Sequence, residues 1–120
     1  MLGCDIIGVD RISRSYERYK EAFLDRILTE AEKTIFYARK ESMTYLAGRF
    51  AAKEAISKAF KTGIGEITFT DIEILPNEAG APFVYLRGKL ATYLEISISH
   101  CKEYAMAICL IHDKKTETAL

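Results

Sequence analysis

Hydrophobic periodicity predicts an α+β chain, a mostly antiparallel sheet packed against one long helix. Three observations carry this: an apolar, β-branched opening run, a long helical-period segment in the middle, and period-two alternation through the second half. No repeat, linker or low-complexity segment divides the chain, so residues 1–120 read as one domain.

Leu2 to Val9 is apolar and β-branched apart from Gly3, Gly8 and Asp5, and reads as a first strand. Asp10 stands where an N-cap would, ahead of a helix from Arg11 to Phe23 whose apolar face is Ile12, Tyr16, Tyr19 and Phe23. Thr29 and Glu32 have capping-box spacing and predict a helix from Glu30 to Arg39. The longest helix should run from Thr44 to Lys61, stopped by Gly63 and Gly65. Ala47, Gly48, Ala51, Ala52, Ala55 and Ala59 form a small-residue stripe along it, which lets a neighbouring element approach closely. The other half carries Arg49, Lys53, Glu54, Ser57, Lys58 and Lys61, yet also Leu46, Phe50 and Phe60. A simple surface helix should not show that mixture, so part of this face should be covered by a ligand or another chain.

Beyond Gly65, Ile67 and Phe69 alternate with Thr68 and Thr70, the phase slips at Asp71, and it resumes at Ile72 and Ile74; a bulge would explain the slip. Pro76 to Pro82 reads as a loop, Phe83 to Leu86 as a short strand, and Lys89 to Tyr93 as one helical turn. Ile96 to Ser99 and Tyr104 to Ile111 read as two further strands, followed by a polar, frayed tail from Asp113.

Composition narrows the function. Lys+Arg and Asp+Glu both number 17, which argues against a general nucleic-acid binder. Cys4, Cys101 and Cys109 are odd in number, lack CxxC spacing and have no secretory leader beside them, so a reduced, cytoplasmic chain is expected. No apolar run approaches the ~20 residues needed to cross a bilayer.

Asp5 is a carboxylate inside an apolar strand. It either faces solvent or is compensated by a metal or a basic partner. Glu54 lies one helical turn before Lys58, which also fits an ordinary exposed ion pair. Two carboxylates on separate elements would suit Mg2+, which takes few protein oxygens and completes its shell with water and phosphate. Zinc-type His/Cys spacing and a GxxxxGK[ST] phosphate loop are both lacking.

The segments GCDIIGVDRI from Gly3, FLDRILTEAE from Phe23, GRFAAKEA with ISKAF from Gly48 and ISISHCKEYAMA from Ile96 occur in one order along the chain. Together they resemble the holo-acyl-carrier-protein synthase family, the short homotrimeric type within the phosphopantetheinyl transferase superfamily. The resemblance spans Gly3 to about Ile111 and implies that family's fold. By motif position it implies Asp5 and Glu54 as magnesium ligands, with Lys58 reaching the pyrophosphate of coenzyme A. Arg49 and His100 become coenzyme A contacts, each with a purely structural role as the alternative, and Gly80 and Pro82 border the adenine. Cys4 stands where an aliphatic residue is more usual, and Gly8 where a glutamate is common, so no third carboxylate ligand carries over. Arg11, Arg14, Arg18 and Arg26, otherwise a solvated charge run, become a docking surface for acidic acyl carrier protein.

The reaction implied is transfer of 4'-phosphopantetheine from coenzyme A to a serine of apo-acyl carrier protein, in fatty acid biosynthesis, releasing adenosine 3',5'-bisphosphate. Glu54 and Lys58 would do the chemistry, with Glu54 or a water on the metal taking the serine proton. A homotrimer is implied, one subunit supplying Asp5, Glu54 and Lys58 and its neighbour the arginine helix. A non-catalytic binder that keeps the motifs, or a structural subunit of a larger synthase, are the competing readings.

Overall fold

A computed structural model describes residues 1–60 and 67–112. The elements run β1 (Leu2–Gly8), α1 (Val9–Tyr19), α2 (Glu21–Ile27), α3 (Glu30–Ala38), α4 (Met43–Phe60), a 3-10 turn (Phe69–Asp71), β2 (Ile72–Pro76), β3 (Pro82–Leu86), β4 (Lys89–Leu90), β5 (Leu94–His100) and β6 (Tyr104–Ile111). Lys61, the expected stop at Gly63 and Gly65, and the tail from Asp113 lie outside the described residues. The strands form two antiparallel sheets, ordered β1-β6-β5 and β2-β3-β4, so the α+β architecture is as expected.

The small-residue stripe of α4 is the centre of the core. Ala47, Gly48, Ala51, Ala52, Ala55 and Ala59 are all buried, and Gly3, Ile7, Ala105, Ala107 and Cys109 are buried on the sheet face opposite. Gly3 sits where β1 and α4 nearly touch: a Cβ there would lie 2.1 Å from the Ala55 carbonyl oxygen and 2.6 Å from the Ala59 nitrogen. These are backbone atoms, so relief requires the helix to move. Gly3→Ala should therefore cost about 3 kcal/mol, the upper end of overpacking penalties. An unchanged midpoint of chemical denaturation would show that the approach is looser than this.

Several local expectations are corrected. The first helix breaks at Lys20, whose φ of 50° ends α1 and whose N–H returns to the Tyr16 carbonyl. Tyr19 is consequently exposed while Ile12 and Tyr16 are buried. Gly8, not Asp10, takes the N-cap position, and Asp10 lies in the first turn. The phase slip at Asp71 is a 3-10 turn rather than a bulge: the Thr68 N–H donates to Asp71 Oδ2 at 3.0 Å and draws the chain out of the ladder before β2 begins. Lys89 to Tyr93 is not helical; Arg87 and Gly88, both at positive φ, close a hairpin onto the two-residue β4.

Much of the mixed half of α4 is covered by the chain itself. Leu46 is fully buried, Phe50 packs edge-on against Phe69 at 5.3 Å between ring centroids, and Phe60 against Tyr93 at 6.5 Å. Lys53, which the pattern places on a charged face, is fully buried against an equally buried Glu32, their atoms 2.6 Å apart. Burial pushes the Lys53 ammonium below the usual lysine range while Glu32 pulls it back up. Removing one partner of such a pair costs about 3–5 kcal/mol, because the other charge is stranded. Among the described residues, the largest group of exposed apolar side chains lies elsewhere, on the outer face of the first sheet. There Leu2, Ile6, Tyr104, Met106, Ile108 and Leu110 are 39–63% exposed.

Candidate active site

Asp5 lies on the same face of β1 as Gly3 and Ile7, turned toward α4, so its side chain is only 15% exposed. The antiparallel register opposite Ala107 leaves space on that face for a carboxylate. Lys58, on the last turn of α4, donates from Nζ to Asp5 Oδ1 at 2.9 Å and to the Cys4 carbonyl at 3.2 Å. The hydrogen bond to Asp5 raises the Lys58 pKa first, followed by the charges of Asp5 and Glu54. Lys58 thus stands within the field of both candidate carboxylates.

Glu54 is half-buried one turn before Lys58 and opens into a groove of about 660 Å³. Phe23, Arg26 and Ile27 of α2 form one wall and Ile67 to Thr70 the other, with Phe50 of α4 beside Glu54. No group of three His, Cys, Asp or Glu residues able to hold a metal occurs among the described residues. Two carboxylates are nevertheless the donor type that suits Mg2+, and Asp5 Oδ1 here pairs with the Lys58 ammonium.

A second cleft, of about 380 Å³, brings together Arg49, Gly80, Pro82 and His100, with Arg39, Thr44, Tyr45, Gly48, Pro76 and Ile96 to Ile98 completing its lining. Gly80 takes φ 87°, closing the turn between β2 and β3 through its N–H to the Asn77 carbonyl. Arg49 is 8% exposed, and its guanidinium lies 4.6 Å over the Tyr45 ring. Arg39 approaches the same ring at 5.0 Å. Burial raises the Tyr45 pKa, the nearby Arg49 charge opposing it. Arg49 Nε is buried without a hydrogen-bond partner among the described residues, and the residue forms no carboxylate pair there. A buried guanidinium with a donor unspent, on a residue that lines a cleft, has the chemistry to bind an anion.

The predicted residues therefore fall into two groups within one chain. Arg49 and Lys58 are nine residues apart on α4, two and a half turns and about 13 Å along the axis, so they point to opposite sides. Lys58 belongs with Asp5 and Glu54, not with the cleft. Arg11, Arg14 and Arg18 are exposed on α1, where Arg14 pairs with Asp10 at 3.4 Å and Arg18 stacks over Tyr19. Arg26 lies across the Lys20 break, on the wall of the Glu54 groove. Sequence reasoning missed Arg39 and Tyr45, although Tyr45 and Arg49 have the four-residue spacing of one helix face. It also missed the aromatic groove walls and the Lys53–Glu32 pair, whose partners lie far apart in the chain.

The sequence profile of the 4'-phosphopantetheinyl transferase superfamily matches residues 1–109. The chain is 43% identical over 116 residues to a holo-[acyl-carrier-protein] synthase of Oceanobacillus iheyensis, covering 95% of this chain and 97% of that one. Among solved structures, the Bacillus anthracis holo-(acyl-carrier-protein) synthase in complex with CoA (3',5'-ADP) is 41% identical with a TM-score of 0.78, covering 92% and 93% of the two chains. The Helicobacter pylori synthase in complex with coenzyme A is 35% identical with a TM-score of 0.79, covering 92% and 99%. With the family profile matched from β1 into β6 and the same fold beneath it, this chain belongs to the 4'-phosphopantetheinyl transferase superfamily, in its holo-acyl-carrier-protein synthase branch.

Proposed function

We propose that the chain transfers 4'-phosphopantetheine from coenzyme A to a serine of apo-acyl carrier protein. The serine oxygen forms a bond to the β-phosphorus, the bond from that phosphorus to the bridging anhydride oxygen breaks, and adenosine 3',5'-bisphosphate leaves. The observation that carries this reading is the buried, partnerless Arg49 Nε at a cleft shared with His100, Gly80 and Pro82. Such a cleft fits the phosphorylated nucleotide end of coenzyme A, the molecule bound in the Helicobacter pylori relative. Mass spectrometry of an apo-carrier protein incubated with coenzyme A and Mg2+ tests it directly. A gain of one phosphopantetheine mass is expected; binding without modification would leave a non-catalytic module.

Asp5 and Glu54 are the residues that would hold Mg2+, which when bound supplies positive charge to the pyrophosphate. Lys58 adds a second cation there once it leaves Asp5. Glu54 is the carboxylate that opens on the groove, and so the chain's own group placed to receive the serine proton. The arginines of α1, with Arg26 beside Glu54, would steer an acidic carrier protein toward that groove. Reversing both Arg14 and Arg18 to Glu should raise the KM for the carrier about tenfold or more while sparing coenzyme A affinity. Added salt should weaken wild-type docking in the same direction. An unchanged dependence of rate on carrier concentration would remove α1 as the docking site.

The reading includes a homotrimer with shared sites, in which one copy contributes Asp5, Glu54 and Lys58 and its neighbour contributes the Arg49–His100 cleft. This reading adds the cleft to the division expected from sequence, in which the neighbour presents the arginine helix. Two features support it: the two residue groups diverge around α4 within a single chain, and the outer face of the first sheet is an apolar surface a second copy would bury. We also place the reaction in the cytoplasm and in fatty acid biosynthesis. Three free cysteines among the described residues suit a reducing compartment, and no described helix is long and apolar enough to cross a membrane.

A further inference from the structure

We propose that Lys53 is a positioning residue whose buried ammonium ties together the two walls of the groove holding Glu54, and so sets the opening through which the carrier's serine segment reaches that carboxylate. The inference rests on the carrier-docking reading above. Lys53 Nζ donates to the Ile27 carbonyl at 2.6 Å, to the Phe69 carbonyl at 3.0 Å and to Glu32 Oε1 at 2.6 Å. An ammonium has three hydrogens, so all are spent and none remains for a substrate. Lys53 acts only through what it holds.

What it holds is the groove. Ile27 ends α2 on one wall and Phe69 opens the 3-10 turn on the other. The third hydrogen goes to Glu32, which accepts the Thr29 N–H at 2.9 Å and the Ile74 N–H at 2.8 Å, anchoring the clamp to the start of α3 and to β2. Lys53 and Glu54 are consecutive on α4, so the turn that aims the carboxylate into the groove also carries the ammonium fastening its walls. Burying a lysine costs desolvation that an apolar residue would avoid. Here the return is a donor group that reaches two separate backbone segments at once.

Two variants separate the clamp from general stability. Glu32→Gln leaves both carbonyl contacts of Lys53 in place and should lower the melting temperature while keeping the wild-type KM for apo-carrier. Adding Lys53→Met removes the ammonium without stranding a charge. It should raise the carrier KM about tenfold over Glu32→Gln alone, a misplacement effect, with the Kd for coenzyme A unchanged. A merely structural role would reduce the active fraction and lower kcat at constant KM. Equal carrier KM in the two variants would overturn the clamp. Hydrogen exchange of the wild-type protein gives a reading that needs no variant to fold. Saturation with apo-carrier should protect amides in 21–28 and 67–72 together, and protection of one segment alone would overturn the proposal. Should the Arg14→Glu, Arg18→Glu variant keep the wild-type carrier KM, the docking reading fails. If that variant raises KM and loss of Lys53 does not, only the clamp fails.

Discussion

Asp5→Asn and Glu54→Gln should each fold as the wild type does and lose turnover by about 100-fold or more, about 2.7 kcal/mol of barrier. Both changes keep side-chain volume and polarity and remove one negative charge. Asp5 lies against the half-exposed Lys58 ammonium at the edge of the core, and Glu54 opens on the groove, so neither charge is needed to satisfy a buried partner. The loss should therefore appear in kcat with Mg2+ held below saturation, while circular dichroism and the melting temperature stay close to wild type. More metal should partly restore the rate, since a neutral amide oxygen is a weaker ligand than a carboxylate rather than none. Near-normal turnover in either variant under those conditions would remove that residue from the metal site.

Mixing Glu54→Gln chains with Arg49→Gln chains should restore activity that neither has alone. A shared site takes its carboxylates from one copy and its nucleotide cleft from the next. Three-fold closure then gives every mixed trimer one boundary with both halves intact, and random mixing at equal amounts restores about a quarter of wild-type turnover. Sites contained in a single chain would recover nothing, because each chain lacks one half. Subunit exchange can be followed by mass spectrometry of the intact assembly, so absence of mixing is distinguishable from absence of rescue. Sedimentation as a monomer at working concentration would end the trimer. Confirmed mixed trimers without activity would retain the assembly and sink the shared site.

Features encoded within a few residues were legible. The Thr29–Glu32 capping box forms as its spacing predicts, both reciprocal bonds present, because its partners are three residues apart. The small-residue stripe of α4 is likewise a local periodicity, and it packs as such a stripe must. Misreadings arose where a side chain or one backbone angle overrode the pattern. The Asp71 carboxylate competes for a backbone N–H and turns a strand into a 3-10 turn, while Lys20 at φ 50° splits one helix into two. Lys53 reads as a surface charge because its neutralising partner is twenty-one positions away and fits a helix cap by its own spacing. The family segments identified Arg49, Gly80, Pro82 and His100 individually; their meeting in one cleft depends on the β2–β3 turn and the end of β5 folding over α4.

The sequence by itself determined the α+β composition, the strand and helix at the heart of the core, and the chemical identity of the candidate site residues. These follow from periodicity and motif, which act over short stretches of chain. Only the tertiary structure decided which face of β1 carries Asp5. A strand's period of two defines two faces but does not say which meets the helix; that requires the register setting Asp5 opposite Ala107 and Gly3 against Ala55. Tertiary structure also decided that the candidate residues divide around α4 into two groups, and that the outer face of the first sheet keeps an apolar surface uncovered. Both depend on contacts between segments distant in the chain, whose energies no local pattern records.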